Sequence, residues 1–305
     1  MTIGTSPAVG PRCGFVAVAG APNAGKSTLV NRLTGAKLSI VTPKAQTTRT
    51  LIRGIAVEGP AQIILVDTPG IFAPRRRLDR AMVGSAWGGA KDADIAALVV
   101  DSRKGVEDED EAVIRGLPDV RAPKLLVLNK VDVVAKPALL ALTQTLNERA
   151  TFAATFMISA LTGNGVADLK RWLGANVPAG PWLYPEDQIA DAPLRHLAAE
   201  ITREKLYLRV HEELPYAAAV ETTKFEERKD GSARIEQTIY VERESQRPII
   251  LGKGGQTLKW IGQKAREDLT EILDRPVHLF LHVQVDERWA DKREFYGDLG
   301  LDYDA

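Results

Sequence analysis

Phosphate and base recognition are the chemistry that this sequence offers first. Gly20-Ala21-Pro22-Asn23-Ala24-Gly25-Lys26-Ser27, with Thr28 next, fits the pattern GxxxxGK[ST]. Glycines let backbone N–H groups turn toward phosphates, and a helix beginning at such a loop favours negative charge. Lys26 would reach the outer phosphates, and the Ser27 hydroxyl would bind Mg2+. The plainer reading is a strand-to-helix turn with a solvated lysine, which the strand–loop–helix context opposes. Asp67-Thr68-Pro69-Gly70 ends an apolar run. An aspartate there can hold magnesium through water, and the Gly70 N–H can bind a terminal phosphate and sense its loss.

Asn129-Lys130-Val131-Asp132 follows another apolar run. The Asp132 carboxylate can accept hydrogen bonds from both N1–H and the exocyclic amine of guanine, a donor pair that adenine lacks. Such buried bonds discriminate strongly, so this group selects GTP over ATP. Ser159-Ala160 could set a backbone N–H against guanine O6, a weight that comes only from its position. Between the first two groups lies Pro43-Lys44-Ala45-Gln46-Thr47-Thr48-Arg49. A mobile loop here needs a threonine to complete the magnesium shell; Thr47 and Thr48 both remain open, and Thr48 is favoured. Lys26, Thr48 and Gly70 are thus the expected catalytic set.

These groups need elements to hold them. Residues 14–20 read as a strand leading into a helix at 26–33. Strands are expected at 50–57 and 62–67, joined by a Glu58-Gly59-Pro60 turn, then at 94–101, 124–129 and 154–159. Helical patterns fill 108–115, 137–149 and 166–173. The alternation predicts a mostly parallel six-stranded sheet covered on both faces, with one antiparallel edge. Arg75-Arg76-Arg77 reads as solvated loop, with an RNA contact as the alternative; 107–111 reads as an acidic first helical turn.

Four prolines and Gly180 gather between 176 and 193, which divides the chain into 1–180, a linker at 181–192, and 193–305. The second part predicts a helix at 194–210, strands at 217–226 and 234–243 around a Lys229-Asp230-Gly231-Ser232 hairpin, a helix at 256–273 and a strand at 277–285. With the short 247–251 segment the order is α-β-β-α-α-β. Gly252-Lys253-Gly254-Gly255 sits between the last two helices. A GxxG loop allows close approach of a nucleic-acid backbone, and in this order it resembles a type II KH domain.

Charge speaks against that at first. Residues 181–305 hold 18 Lys/Arg and 25 Asp/Glu, while 1–180 hold 22 and 15. Locally, Arg243, Arg247, Lys253, Lys259, Lys264 and Arg266 face one acid, Glu244, between 243 and 266. A compact patch of that kind suits a short single-stranded RNA, without DNA. Arg247 and Lys259 join Gly252 to Gly255 as expected RNA contacts. His278 and His282 share a strand face, with packing favoured over a metal site. A lone Cys13 excludes an internal disulfide and suits a reducing compartment. No apolar run approaches the roughly 18 residues of a membrane span, and the N-terminus lacks a secretion pattern. A cytoplasmic protein is expected.

GAPNAGKS, KAQTTR, DTPGI, NKVD, SALTGNG and the Tyr184-Pro185-Glu186-Asp187 group resemble those of the Era family of GTPases, over about 15–285. The resemblance implies a GTPase that binds the 3′ end of 16S rRNA during 30S assembly, acts as a monomer, and switches with nucleotide through a rearrangement carried by the linker. It leaves peripheral membrane association open. In related GTPases the position of Asn23 is linked to a bound K+; a plain turn-former is the equal alternative. Ile71 stands where Ras-like enzymes place the glutamine that orients water, which implies slow intrinsic hydrolysis. The competing classes are a P-loop kinase or ATPase, which NKVD opposes, a GTPase acting on another RNA or protein, and an RNA scaffold with a passive nucleotide domain.

Overall fold

The computed structural model describes residues 10–304, apart from 43, 45, 46, 50, 75, 189, 192 and 211–213. Arg75, the start of the expected strand at Thr50, and Pro43, Ala45 and Gln46 of the threonine loop therefore lie outside the described residues. The chain divides into two compact units. One holds Met1–Leu38, Thr50–Arg75 and Met82–Asp191; the other holds Ser39–Arg49, Arg76–Ala81 and Ala192–Ala305.

In the first unit the apolar run Arg12–Ala19 forms β1 and leads into α1 (Lys26–Thr34). Ile52–Glu58 (β2) and Ala61–Asp67 (β3) form the expected antiparallel pair; α2 (Arg77–Asp92) follows, its residues up to Ala81 being counted with the second unit. Then β4 (Ile95–Asp101), α3 (Asp108–Gly116), β5 (Lys124–Asn129), α4 (Lys136–Arg149), β6 (Ala154–Met157) and α5 (Val166–Asn176) alternate. A two-residue strand, β7 (Ala190–Asp191), closes the sheet, whose order is β6-β5-β4-β1-β3-β2-β7. Successive side chains of a strand point to opposite faces. Val16 and Val18 accordingly pack with Leu29, Leu33, Leu169 and Leu173, while Ala19 packs on the other side with Ala86, Val113 and Leu146.

Two findings differ from the sequence reading. Among the described residues the sheet has seven strands, not six, because the expected linker supplies β7, antiparallel to β2. That segment is fastened further by Gln62, whose amide donates to Tyr184 O at 2.8 Å and whose Oε1 accepts from Leu183 N at 2.9 Å. Helix α2 begins within the three arginines read as loop. It buries Leu78, Ala81, Met82, Ala86 and Ala90, apolar residues at helical spacing that Gly88 and Gly89 interrupt and disguise.

In the second unit, α6 (Leu194–Arg209), β8 (Ala218–Glu227), β9 (Ala233–Val241), α7 (Arg247–Leu251), α8 (Gln256–Leu273) and β10 (Val277–Val285) reproduce the α-β-β-α-α-β order. The sheet runs β10-β9-β8, with β10 parallel to β9 and β8 antiparallel. Ile201, Ala265 and Leu269 pack against Ile235; Leu206 and Ile261 pack against Ile239. A last helix, α9 (Arg293–Asp298), follows Trp289. Among the described residues no helix is long and apolar enough to cross a membrane.

Candidate functional site

The loop after β1 is shaped by glycines that nothing else could replace. Gly20 has φ 150° and Gly25 φ 96°. A Cβ at Gly20 would lie 2.3 Å from Val99 O, and one at Gly25 2.2 Å from Asn129 Nδ2. Asn23 also takes a left-handed φ of 62°, which the turn alone explains. Gly25 caps α1 without a side chain, and no acid occupies the first turn. The N–H groups there are of the kind that anions satisfy. Ser27 and Thr28 are half-buried at the helix start, beside buried Ala21 and Ala24 and the partly covered Pro22.

Lys26 is buried, and its ammonium donates to Gly20 O at 3.0 Å and Ala21 O at 2.8 Å. Burial pushes its pKa down to about 8, against an opposing pull from Asp67. Asp67 is fully buried at the end of β3. Thr68 Oγ1 donates to Val18 O at 2.9 Å, and Ile71 N donates to Gly20 O at 3.2 Å. These bonds hold the DTPG turn against the phosphate loop. The approach is close enough that a Cβ at Gly70 would lie 3.0 Å from Pro22 Cα.

Asn129 and Lys130 tie the NKVD group to the same loop. Asn129 Nδ2 donates to Ala24 O at 2.8 Å, and its Oδ1 accepts from Ala160 N at 2.9 Å. Lys130, at a left-handed φ of 65°, donates to Asn23 O at 2.6 Å and to Asp101 Oδ2 at 2.6 Å. Asp132 is exposed on the following turn. Ser159 is buried, and its Oγ accepts from Thr162 N at 3.2 Å.

Asp101 is the residue that sequence reasoning missed. It receives two bonds from the Arg103 guanidinium as well as the Lys130 ammonium. Burial would raise its pKa, but these donors win and hold it at about 2. The available signal was an aspartate ending β4 just as Asp67 ends β3. Arg32 was missed too: from α1 its Nε donates to Ala160 O at 3.1 Å and steadies the Ser159 loop. Thr48 does not share this unit. It is buried, and it is counted with Ser39–Arg49 in the second one.

In the second unit, α7 stops at Gly252, at φ 71°, where a Cβ would lie 2.3 Å from Thr257 Oγ1. Gly254 and Gly255 have φ 61° and 78°, with nothing within 4 Å of an added Cβ. Arg247, Lys253 and Lys259 are exposed around this turn. Lys264 is neutralised by Glu267 at 2.6 Å, just beyond the stretch that looked basic. Outward on β10 stand His278, Phe280 and His282, and no cluster of three metal-ligating side chains occurs among the described residues.

Comparison with known proteins agrees with this geometry. Residues 15–130 match the family model described as 50S ribosome-binding GTPase, and 213–290 match the KH domain. The chain is 62% identical over 309 residues to GTPase Era of Brucella suis biovar 1, covering 99% of each. It is 62% identical over 296 residues to GTPase Era of Rhizobium meliloti, covering 97% of this chain and 95% of that one. An Aquifex aeolicus Era variant solved with GDP·AlF4− superposes at a TM-score of 0.89 with 38% identity, over 95% of this chain and 99% of that one. The same figures hold for an Era structure with MgGDPNP and nucleotides 1506–1542 of 16S ribosomal RNA.

Proposed function

This chain belongs to the Era family of GTPases, and from that premise we propose that it is a nucleotide-switched binder of the 3′ end of 16S rRNA in 30S subunit assembly. The observation that carries the reading is the lock formed by Asn129 and Lys130 on the phosphate loop. It assembles both halves of a guanine-nucleotide site on a chain that also exposes a GxxG turn.

Asp132 accepts the two guanine donors, while Asn129 and Lys130 hold the base loop against Ala24 and Asn23. The Ala160 N–H, already donated to Asn129, is shared with guanine O6. Backbone N–H groups between Gly20 and Ser27, Pro22 having none, surround the phosphates, and Lys26 supplies charge at the outer ones. Its amine is depressed by burial, so the arriving phosphate charge secures its proton. The donor set fits Mg2+: a half-buried hydroxyl at Ser27 and a fully buried carboxylate at Asp67 are hard oxygen ligands. Thr48 would complete that set, and Asp67 would act through water. When bound, the ion neutralises charge developing on the phosphate oxygens. A K+ at Asn23 would add charge where other GTPases use an arginine finger.

Gly70 reads the terminal phosphate through its N–H. Ile71 is 2% exposed and has no group to orient water, so intrinsic turnover is slow. On the RNA side Gly252, Lys253, Gly254 and Gly255 pass the backbone, with Arg247 and Lys259 on its phosphates. The functional division is 1–180, 181–192 and 193–305, and the protein acts in the cytoplasm as a monomer.

The test is GTP turnover and rRNA binding in the full chain. GTP turnover should persist in excess ATP and vanish in Lys26→Ala. Gly254→Asp should lose at least about tenfold in affinity for a 3′-terminal 16S rRNA oligonucleotide, since it places negative charge against the backbone. Its GTP turnover without RNA should be unchanged. Wild-type RNA affinity in Gly254→Asp would refute the assigned RNA site.

A further inference from the structure

Ala160, whose N–H the reading above sets against guanine O6, is gripped from two directions. Its N–H donates to Asn129 Oδ1 at 2.9 Å, and Asn129 donates in turn to Ala24 O on the phosphate loop at 2.8 Å. On the other side Ala160 O accepts from Arg32 Nε at 3.1 Å, and Leu161 O accepts from Arg32 Nη2. Arg32 stands in the last turn of α1, the helix that starts at Gly25 of the phosphate loop. Its guanidinium lies beside Gly163, where an added Cβ would be 3.9 Å from Arg32 Cζ.

The segment between those grips lies at the surface: Leu161 is 71% exposed, and Thr162 is exposed beside it. Its own bonds close it on itself. Gly163 N donates to Ser159 O at 2.8 Å, Ser159 N to Asn164 O at 2.9 Å, and Thr162 N to Ser159 Oγ at 3.2 Å. Such a ring keeps its shape and moves as a body. Asn129 fixes one point of it, which leaves a tilt about that point. A fork of charged N–H groups on two successive carbonyls removes the tilt, a task that a single ammonium performs less well. The precision matters because a hydrogen bond to O6 weakens steeply with misalignment. An arginine in the last turn of a helix is favoured by the helix dipole alone, but the dipole does not account for two bonds to a segment so distant in sequence.

We propose that Arg32 is a positioning residue for guanine specificity: by holding the carbonyls of Ala160 and Leu161 it sets the Ala160 N–H for O6. The inference rests on the guanine-nucleotide reading above. Helix α1 then serves both ends of the ligand, the phosphates at its first turn and the base through Arg32 at its last. Asp132, which reads N1–H and the exocyclic amine, is served by neither bond of Arg32, so the two halves of base recognition are separable.

The experiment compares three nucleotides by competition titration in the full chain. 6-Thio-GDP replaces only O6, with a larger and poorer acceptor, and IDP lacks only the exocyclic amine. The ratio of GDP to 6-thio-GDP affinity therefore reads the O6 contact, and the ratio of GDP to IDP affinity reads the Asp132 contact. Wild type should show about tenfold in each. Arg32→Met, which keeps helix propensity, should bring the first ratio below about threefold and leave the second within about twofold of wild type. Arg32→Lys, with one ammonium for two carbonyls, should fall between. A merely structural loosening would lower all three affinities together and move neither ratio. A wild-type GDP to 6-thio-GDP ratio in Arg32→Met, with an intact thermal transition, would overturn the proposal. So would an equal fall of both ratios. Arg32→Gln, which removes the charge and the fork, makes the same comparison if Arg32→Met does not fold. A GDP to IDP ratio of one in wild type removes the guanine-site reading itself and is visible without any variant.

Discussion

An added Cβ at Gly25 would lie 2.2 Å from Asn129, whereas one at Gly254 would meet nothing within 4 Å. Both residues have positive φ, 96° and 61°, and both sit in glycine turns ahead of a helix. The nucleotide loop is closed by its own protein: Val99, Asn129 and Pro22 press on Gly20, Gly25 and Gly70. The RNA turn is walled only at Gly252, by Thr257, and its next two glycines stand open. A rigid cradle suits a small ligand of fixed shape. An open turn suits a flexible strand, because glycine keeps the backbone approachable.

The comparison is broken most directly by adding one methyl group to each loop. Gly25→Ala strains a left-handed backbone and displaces Asn129, whose amide is held by Ala24 O and Ala160 N. GDP affinity should fall by about 100-fold or more, the sum of about 1–2 kcal/mol of backbone strain and the lost bonds. Gly254→Ala meets no wall and should cost only about 1 kcal/mol, a few degrees of thermal midpoint. Equal losses in the two variants, by labelled-GDP titration and melting, would show that the walls do not matter.

Asp132→Asn comes next. Its amide can accept from only one guanine donor and sets an N–H donor against the other, so GTP affinity should drop about 100-fold or more while RNA affinity without nucleotide is unchanged. Competition binding checks this, and an unchanged GTP affinity would remove Asp132 from the base site.

The pH dependence of Lys26 sharpens the rigid side of the comparison. Its amine sits at about 8 when folded, below its ordinary 10.5. Between those values the unfolded chain binds more protons, so nucleotide-free stability rises with pH there. The gain is on the order of 2 kcal/mol relative to Lys26→Met. Bound phosphate reverses the preference, so GDP affinity should be greatest below pH 8 and weaken above it. Urea midpoints at pH 8 and 10, with the variant as baseline, measure it; parallel curves would contradict it.

A smaller effect belongs to Asp101→Asn, which loosens Lys130. Asp101 is held at about 2, below its ordinary 3.8, so its contribution is full above pH 4 and is lost as pH falls through 2. Removing it should cost about 1–2 kcal/mol at neutral pH, by denaturant melts. That difference should shrink below pH 4; a pH-independent loss would assign Asp101 to packing.

What was legible in the sequence was local. Gly20 to Ser27, Asp67 to Gly70 and Asn129 to Asp132 each encode a turn at a strand end, and alternation of apolar runs placed the strands that carry them. Contacts between distant segments were not legible. Helix α2 hides because its buried face is mostly alanine with Gly88 and Gly89 beside it. Strand β7 is two residues long and exists only because β2 offers an edge. Arg49 reads as one more polar residue in a loop, and nothing near it in sequence announces its bonds to Tyr207, Pro215 or Ala218. Helix α6 reads as amphipathic, yet Glu200, Arg203 and Glu204 are buried, because Glu200 pairs with Arg203 while Thr47 O and Val41 N partner Arg203 and Glu204.

The most direct test of a nucleotide-switched RNA binder is reciprocal. Affinity for a non-hydrolysable GTP analogue should be measured in the free protein and in the protein saturated with the 3′-terminal 16S rRNA oligonucleotide. Linkage requires that RNA raise the analogue's affinity over that of GDP by the same factor by which the analogue raises RNA affinity over GDP, about tenfold. Analogue and GDP affinities that RNA leaves in the same ratio would contradict the account.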